Sequence, residues 1–396
     1  MTLVSFLTEY KWVLLFYVCV FLLIYINRKK FDIQAKVIAL YRTSIGVKFI
    51  ERFVKNKEKL IRTLGVIGIF LGYIGFLAIF YFLFDLLYNT LKAPAVMRVA
   101  PILPGVPVVG LGIKFPLIIG WVSLLIIIVI HEASHGIVAK AFKQKIQSTG
   151  FAFFGPIPGA FVEIDEKKLA KQPAHVQLSV FAAGPNSNIV TSFLFLAILS
   201  FLLAPLASSM LMPRGIEVTV NPGLPANMSG LRDYDVIVKI DNVSIETVDD
   251  FKGLGVIQPN STHVFYTNDG KKLSITAREN PANKSIGQFG INVYQKSVLK
   301  NPTQVNKALY TVLGWGNELF FWLFLIGFNI GLINFLPIFI TDGARILQIT
   351  LNKLIKNQDK SKKIWLFINR LSLGILLLIF IIPILTNIWN KVISIF

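Results

Sequence analysis

Cysteine is almost missing from this 396-residue chain. The one at position 19 cannot form an internal disulfide, and it excludes any cysteine-built metal cluster. Histidine is scarce as well, with four residues. Charged residues make up 15% of the chain, whereas a soluble globular domain carries about a quarter. Acidic residues are the scarcer sign, 21 against 40 basic, which leaves a formal charge of +19. On a soluble chain that excess would point to nucleic acid. Here the basic residues gather between apolar runs, so orientation in a bilayer explains them and no nucleic-acid partner is needed.

Apolar residues are what the chain has in excess, at 54%. A helix needs about 20 of them in succession to cross a bilayer. Six runs qualify, near 4–26, 63–88, 117–139, 178–207, 307–336 and 365–389. The first is expected to be a retained span: it lacks a basic start, carries Glu9 and Lys11, and shows no small-residue cleavage site. Residues 28–62 hold eleven Lys or Arg against three acids, and lysines recur through 140–172 and, with Arg345, through 345–363. The positive-inside rule puts these three regions in the cytosol. Six spans satisfy all three placements and leave both termini outside. The expected fold is a polytopic α-helical membrane protein with an inserted small α+β or β-rich domain.

That domain is residues 213–300. Its basic and acidic residues nearly balance, ten against nine, and runs such as Val236–Ile240 and Leu273–Ala277 alternate with Gly, Pro and Asn-Asp-Gly turns. It is expected outside, where the four sequons at Asn227, Asn242, Asn260 and Asn283 also fall. The remainder divides into 1–116 (N-terminal spans and basic loop), 117–212 (first part of a helical core) and 301–396 (second part and C-terminal helix). Two Pro- and Gly-rich apolar stretches, 92–116 and 150–163, are too broken to span and are expected to dip into the membrane.

The third run ends His131-Glu132-Ala-Ser-His135-Gly136. Two histidines four residues apart on a helix share one face and can reach one ion, while the Glu beside the first can take the proton of an attacking water. Ionisable residues at membrane depth are expensive and usually functional. A catalytic zinc needs a third protein ligand. Asp342 is the candidate, because the fifth run breaks at Pro337 and the topology returns Asp342 to the membrane edge of the His pair. On spacing alone, a surface Asp-Gly turn at Asp342–Gly343 explains that residue as well.

These motifs resemble those of the site-2 proteases, whose markers are H-E-x-x-H in one helix and N-x-x-P-x-x-x-x-D-G in a later one. Asn334, Pro337, Asp342 and Gly343 match the second marker, with Ile340 where members often have another proline. Ala183-Gly184-Pro185-Asn186-Ser187-Asn188 matches a third marker, A-G-P-x-x-N. The resemblance covers roughly residues 117–345. It implies one zinc ion per chain on His131, His135 and Asp342, Glu132 as base, and an active site lined by Asn188 and Asn334. Gly159, Ala160 and Phe161, in the hairpin-like stretch 150–163, are expected to pair with an unwound substrate as an added strand. The inserted domain resembles a PDZ domain through Pro222–Ala226 and Gly230–Ile237, with Tyr234 and Asn242 at positions usually Gly. A peptide carboxylate would bind near Gly215 and Ile216.

The function implied is intramembrane zinc proteolysis near the cytosolic face of the lipid bilayer. Its substrates would be transmembrane proteins already cut by another protease. The PDZ-like domain would then bind new C-termini or exclude bulky substrates. The alternative is a catalytically silent membrane scaffold.

Overall fold

The structure is a computed structural model that describes residues 3–34, 38–99, 102–107, 114–154 and 157–394. In chain order the first elements are α1 (Leu3–Ile26), β1 (Asp32–Gln34), β2 (Ile38–Thr43), α2 (Ile45–Val54), α3 (Glu58–Lys92) and α4 (Leu117–Ala141). Next come β3 (Ile146–Phe154), β4 (Ile157–Ile164), α5 (Glu166–Leu169), α6 (Ala174–Ile198) and α7 (Ala204–Ser209). The β-rich part holds β5 (Leu211–Val220), α8 (Pro225–Met228), β6 (Val236–Ile240), β7 (Val243–Ser244), α9 (Val248–Gly253), β8 (Thr262–Thr267), β9 (Lys272–Thr276), β10 (Arg278–Asn280), β11 (Asn283–Gln288) and β12 (Ile291–Leu299). The chain closes with α10 (Gln304–Ile333), α11 (Asp342–Leu354) and α12 (Gln358–Ile393).

Among the described residues, five helical segments are long and apolar enough to cross a membrane: Glu58–Lys92, Leu117–Ala141, Ala174–Ser209, Gln304–Ile333 and Gln358–Ile393. A shorter apolar stretch, Tyr10–Ile26, lies in α1. The chain is a multi-pass membrane protein. Large apolar side chains such as Phe70, Leu77 and Phe201 are exposed on these helices, where lipid rather than water is their neighbour. Contacts divide the chain into two compact units, one of 1–199 with 318–396 and one of 200–317.

In the first unit, α3 packs through buried Gly65, Gly68, Gly72 and Gly75. Small residues let helices approach closely where the hydrophobic effect cannot drive them together. The Asn186 amide of α6 donates to the Gly68 carbonyl at 2.6 Å. A Cβ on Gly72 or Gly75 would press on the Phe335 ring. Ile79, Leu83, Leu178, Phe335, Ile346 and Ile379 complete a core drawn from α3, α6, α11, α12 and the segment between α10 and α11.

Residues 150–163 do not form a simple loop. Residues 150–154 and 157–163 belong to β3 and β4, which join β1 and β2 in an antiparallel sheet of order β1-β2-β3-β4. Of the other broken stretch, 100–101 and 108–113 lie outside the described residues.

In the second unit the main sheet has the order β12-β5-β6-β8-β9, over a core that includes Ile216, Ile237, Ile240, Phe265 and Ile275. Tyr234 adopts a left-handed φ of 71°. It holds the turn usually given to glycine, with its N–H on the Val218 carbonyl and its ring exposed.

Candidate metal centre

α4 carries its polar groups at the end of an apolar stretch. His131 and His135, one turn apart, are each 8% exposed. Their Nε2 atoms are 3.2 Å apart. Asp342 completes a triangle, with Oδ2 3.1 Å from Nε2 of His131 and 3.3 Å from Nε2 of His135. Tetrahedral zinc with bonds of about 2.0–2.1 Å sets its ligand atoms about 3.3 Å apart. The three donors therefore have the spacing of one tetrahedral face, and two neutral imidazoles with one carboxylate suit a divalent ion.

Each donor is held from behind. The Nδ1 of His135 donates to the Val180 carbonyl at 2.7 Å. The Nδ1 of His131 meets the amide of fully buried Asn188 at 3.1 Å. Both histidines thus spend Nδ1 on α6 and leave Nε2 for an ion. The Oδ1 of Asn188 has no partner. A half-turn of the amide, which exchanges O and N, sets that oxygen against Nδ1, the nitrogen that carries the proton when Nε2 binds a metal.

Asp342 arrives because α10 stops. Pro337 cannot continue a helix, and residues 334–341 run irregularly to Thr341, the cap of α11. Gly343 N donates to the Asn334 carbonyl at 2.7 Å. A Cβ on Gly343 would lie 2.1 Å from the Phe335 carbonyl oxygen, so the turn closes only on glycine. Phe335, seated on the glycines of α3, anchors the segment that delivers the carboxylate.

A cavity of about 830 Å³ opens beside the triangle, lined in part by Glu132, Val162, Asn334 and Ile340. The Val162 N–H points at Glu132 Oε2, 3.4 Å away. Val162 therefore turns its backbone groups away from β3. Antiparallel strands alternate in this respect, so Ala160 does the same, while Gly159 and Phe161 face β3. Pro158, which has no N–H to offer, shares the outward register. Glu163 also lines the cavity; the Ser148 hydroxyl at 2.6 Å, then Arg42, hold its carboxyl below the usual carboxylate range. The Asn334 amide donates to Ile330, one turn back in its own helix.

The structure does not bring every expected residue to this centre. Gly215 and Ile216 lie in β5, paired with β12 on one side and β6 on the other. Ile216 is fully buried, and a Cβ on Gly215 would meet the Ile237 carbonyl at 2.5 Å. An interior strand has no edge to offer a peptide, which corrects the expectation of a carboxylate site there. One residue at the centre was not singled out from sequence. Gly184 packs so closely on the histidines that a Cβ would lie 2.4 Å from Nε2 of His135 and 2.7 Å from Nε2 of His131. The signal for it was its place in A-G-P-x-x-N.

The profile of peptidase family M50 matches residues 119–379. The chain is 29% identical over 380 residues to the uncharacterized protein MJ0971 of Methanocaldococcus jannaschii, covering 92% of this chain and 93% of that one. It is 26% identical over 204 residues to the probable protease eep of Enterococcus faecalis, covering 42% and 48% respectively.

Proposed function

The chain belongs to peptidase family M50, the site-2 protease family, and from that premise we propose that it is a zinc endopeptidase cutting other membrane proteins within or next to their transmembrane segments. The observation that carries this reading is the triangle of His131, His135 and Asp342, with edges of 3.1–3.3 Å, at the end of a membrane helix and beside Glu132. When bound there, zinc supplies Lewis acidity toward the scissile carbonyl and the attacking water.

The chain's own residues supply the rest. Glu132 takes the water's proton and passes it to the leaving amine. Asn188 orients His131, because its amide meets Nδ1 of the ring and leaves Nε2 to the ion. Asn334 serves the cavity wall while its amide is held by its own helix.

β4 pairs only with β3 among the described strands, and the backbone groups of Ala160 and Val162 face away from that partner. An unwound substrate segment can therefore add as a strand along this edge. Unwinding is required because the carbonyls of an intact helix are hydrogen-bonded. Ala160→Pro removes one outward N–H that β3 does not use. It should lower cleavage about tenfold through loss of one hydrogen bond while leaving metal content unchanged. Undiminished cleavage in this variant would separate β4 from substrate binding.

The β-rich unit is read as an extracytoplasmic filter against bulky substrates, which fits targets already trimmed by another protease. The test of the whole reading uses the full-length chain in vesicles with a single-span reporter protein, the products mapped by mass spectrometry. About one zinc per chain and a cut in the reporter's apolar segment are expected, and Asp342→Ala should lose both. Full zinc in Asp342→Ala, or cuts confined to soluble loops, would refute it.

A further inference from the structure

A second cavity, of about 890 Å³, opens where α2, the first turns of α3 and the last turn of α4 meet. Six cations line it: Lys55, Lys59 and Arg62 from one wall, Lys140, Lys143 and Lys145 from the other. Against them stand Glu51 and Glu58. Glu51 is paired with Lys140 at 2.5 Å. Among the described residues, Lys55, Lys59, Lys143 and Lys145 pair with no carboxylate. The positive-inside rule accounts for basic residues in a loop. It does not account for their convergence on one cavity from separate stretches of chain.

The depth of the cavity is set by its walls. Arg62 Nε donates to the Ala141 carbonyl at 2.5 Å, tying the polar start of α3 to the polar end of α4. The apolar run of α3 begins directly after Arg62, and that of α4 ends just before Lys140. The cavity therefore lies at the boundary between the apolar spans and the polar loops.

α2 adds an independent observation. Ile50 and Val54 are buried, whereas Ile45, Phe49 and Phe53, four residues apart, are 76%, 59% and 41% exposed. Within this stripe the rings of Phe49 and Phe53 stack on each other, and Lys57 sits over Phe53. A short helix with an apolar stripe, basic flanks and a bilayer beside it lies in the interface with the stripe in the acyl boundary.

We infer that this cavity binds the phosphate-bearing headgroup of an anionic membrane lipid, at the depth that the α2 stripe marks as the membrane interface. The inference does not rest on the protease reading. The shared chemistry is a phosphate anion, and the position at the membrane edge favours a lipid over a soluble source.

The test titrates the detergent-solubilised full-length protein and follows adducts by native mass spectrometry. The probes are dioctanoyl phosphatidylglycerol, dioctanoyl phosphatidylcholine and inorganic phosphate. A saturable single adduct with phosphatidylglycerol is expected, with phosphatidylcholine about tenfold weaker or more. Lys143→Gln with Lys145→Gln should weaken it about 25-fold, at about fivefold per charge removed. Lys55→Gln with Lys59→Gln, on the opposite wall, should do the same, so a folding defect in one pair does not decide the outcome. Equal binding of the two lipids, or unchanged binding in both double variants, overturns the proposal. Inorganic phosphate binding as tightly as phosphatidylglycerol would assign the site to a soluble anion and overturn the lipid.

Discussion

Gly184→Ala should strip the protein of its metal. The added Cβ would lie 2.4 and 2.7 Å from the two Nε2 atoms of the donor triangle, well inside contact distance. The rings cannot retreat freely, because each is tied through Nδ1 to α6, the helix that carries the intruding methyl group. Displacing either Nε2 breaks a triangle whose edges already match tetrahedral coordination. Loss of outer contacts to metal-binding histidines costs about 10–100-fold in affinity, and this change acts on both rings at once, so the upper end of that range is expected. Metal per chain, measured beside Gly374→Ala, is the readout; a Cβ at Gly374 meets nothing within 4 Å. Full metal in Gly184→Ala would mean that α6 does not crowd the histidines.

Glu132→Gln should do the reverse. Glu132 is not part of the donor triangle, and a glutamine keeps a carbonyl oxygen for the Val162 N–H. Metal content should therefore match the wild type. What disappears is the proton acceptor, and with it about 10²–10⁴-fold in cleavage rate. Parallel metal analysis and product mapping separate the two effects. Turnover near the wild-type rate would remove Glu132 from the proton transfer. Together the variants separate a residue that makes room for the ion from one that handles the proton.

How much of this was legible in the sequence varies by element. The His pair was readable because helical periodicity alone puts positions 131 and 135 on one face. Asp342 was readable through the break at Pro337, although spacing alone also allowed a surface turn. The clearance that Gly184 provides depends on how closely α6 approaches α4, which no local pattern records. β2 was hidden for a related reason: it reads as a short apolar run in a basic loop, and β3, the partner that ties it to the centre, lies 106 residues away at the Thr43–Thr149 contact. Gly215 and Ile216 misled because their local sequence does not record that β5 is paired with β12 on one side and β6 on the other. Tyr234 shows the limit of residue preference, since a well-tied turn holds a tyrosine where glycine is usual.

The sequence separation of the ligands carries a consequence in time. His131 and Asp342 are 211 residues apart, and the whole β-rich unit is encoded between them. At about 5–20 residues per second, a ribosome delivers the histidines about 10–40 s before it delivers the aspartate. During that interval the nascent chain holds two of three donors and has not yet made the turn that presents the last. A donor set built this way is completed only after the whole β-rich unit has been synthesised.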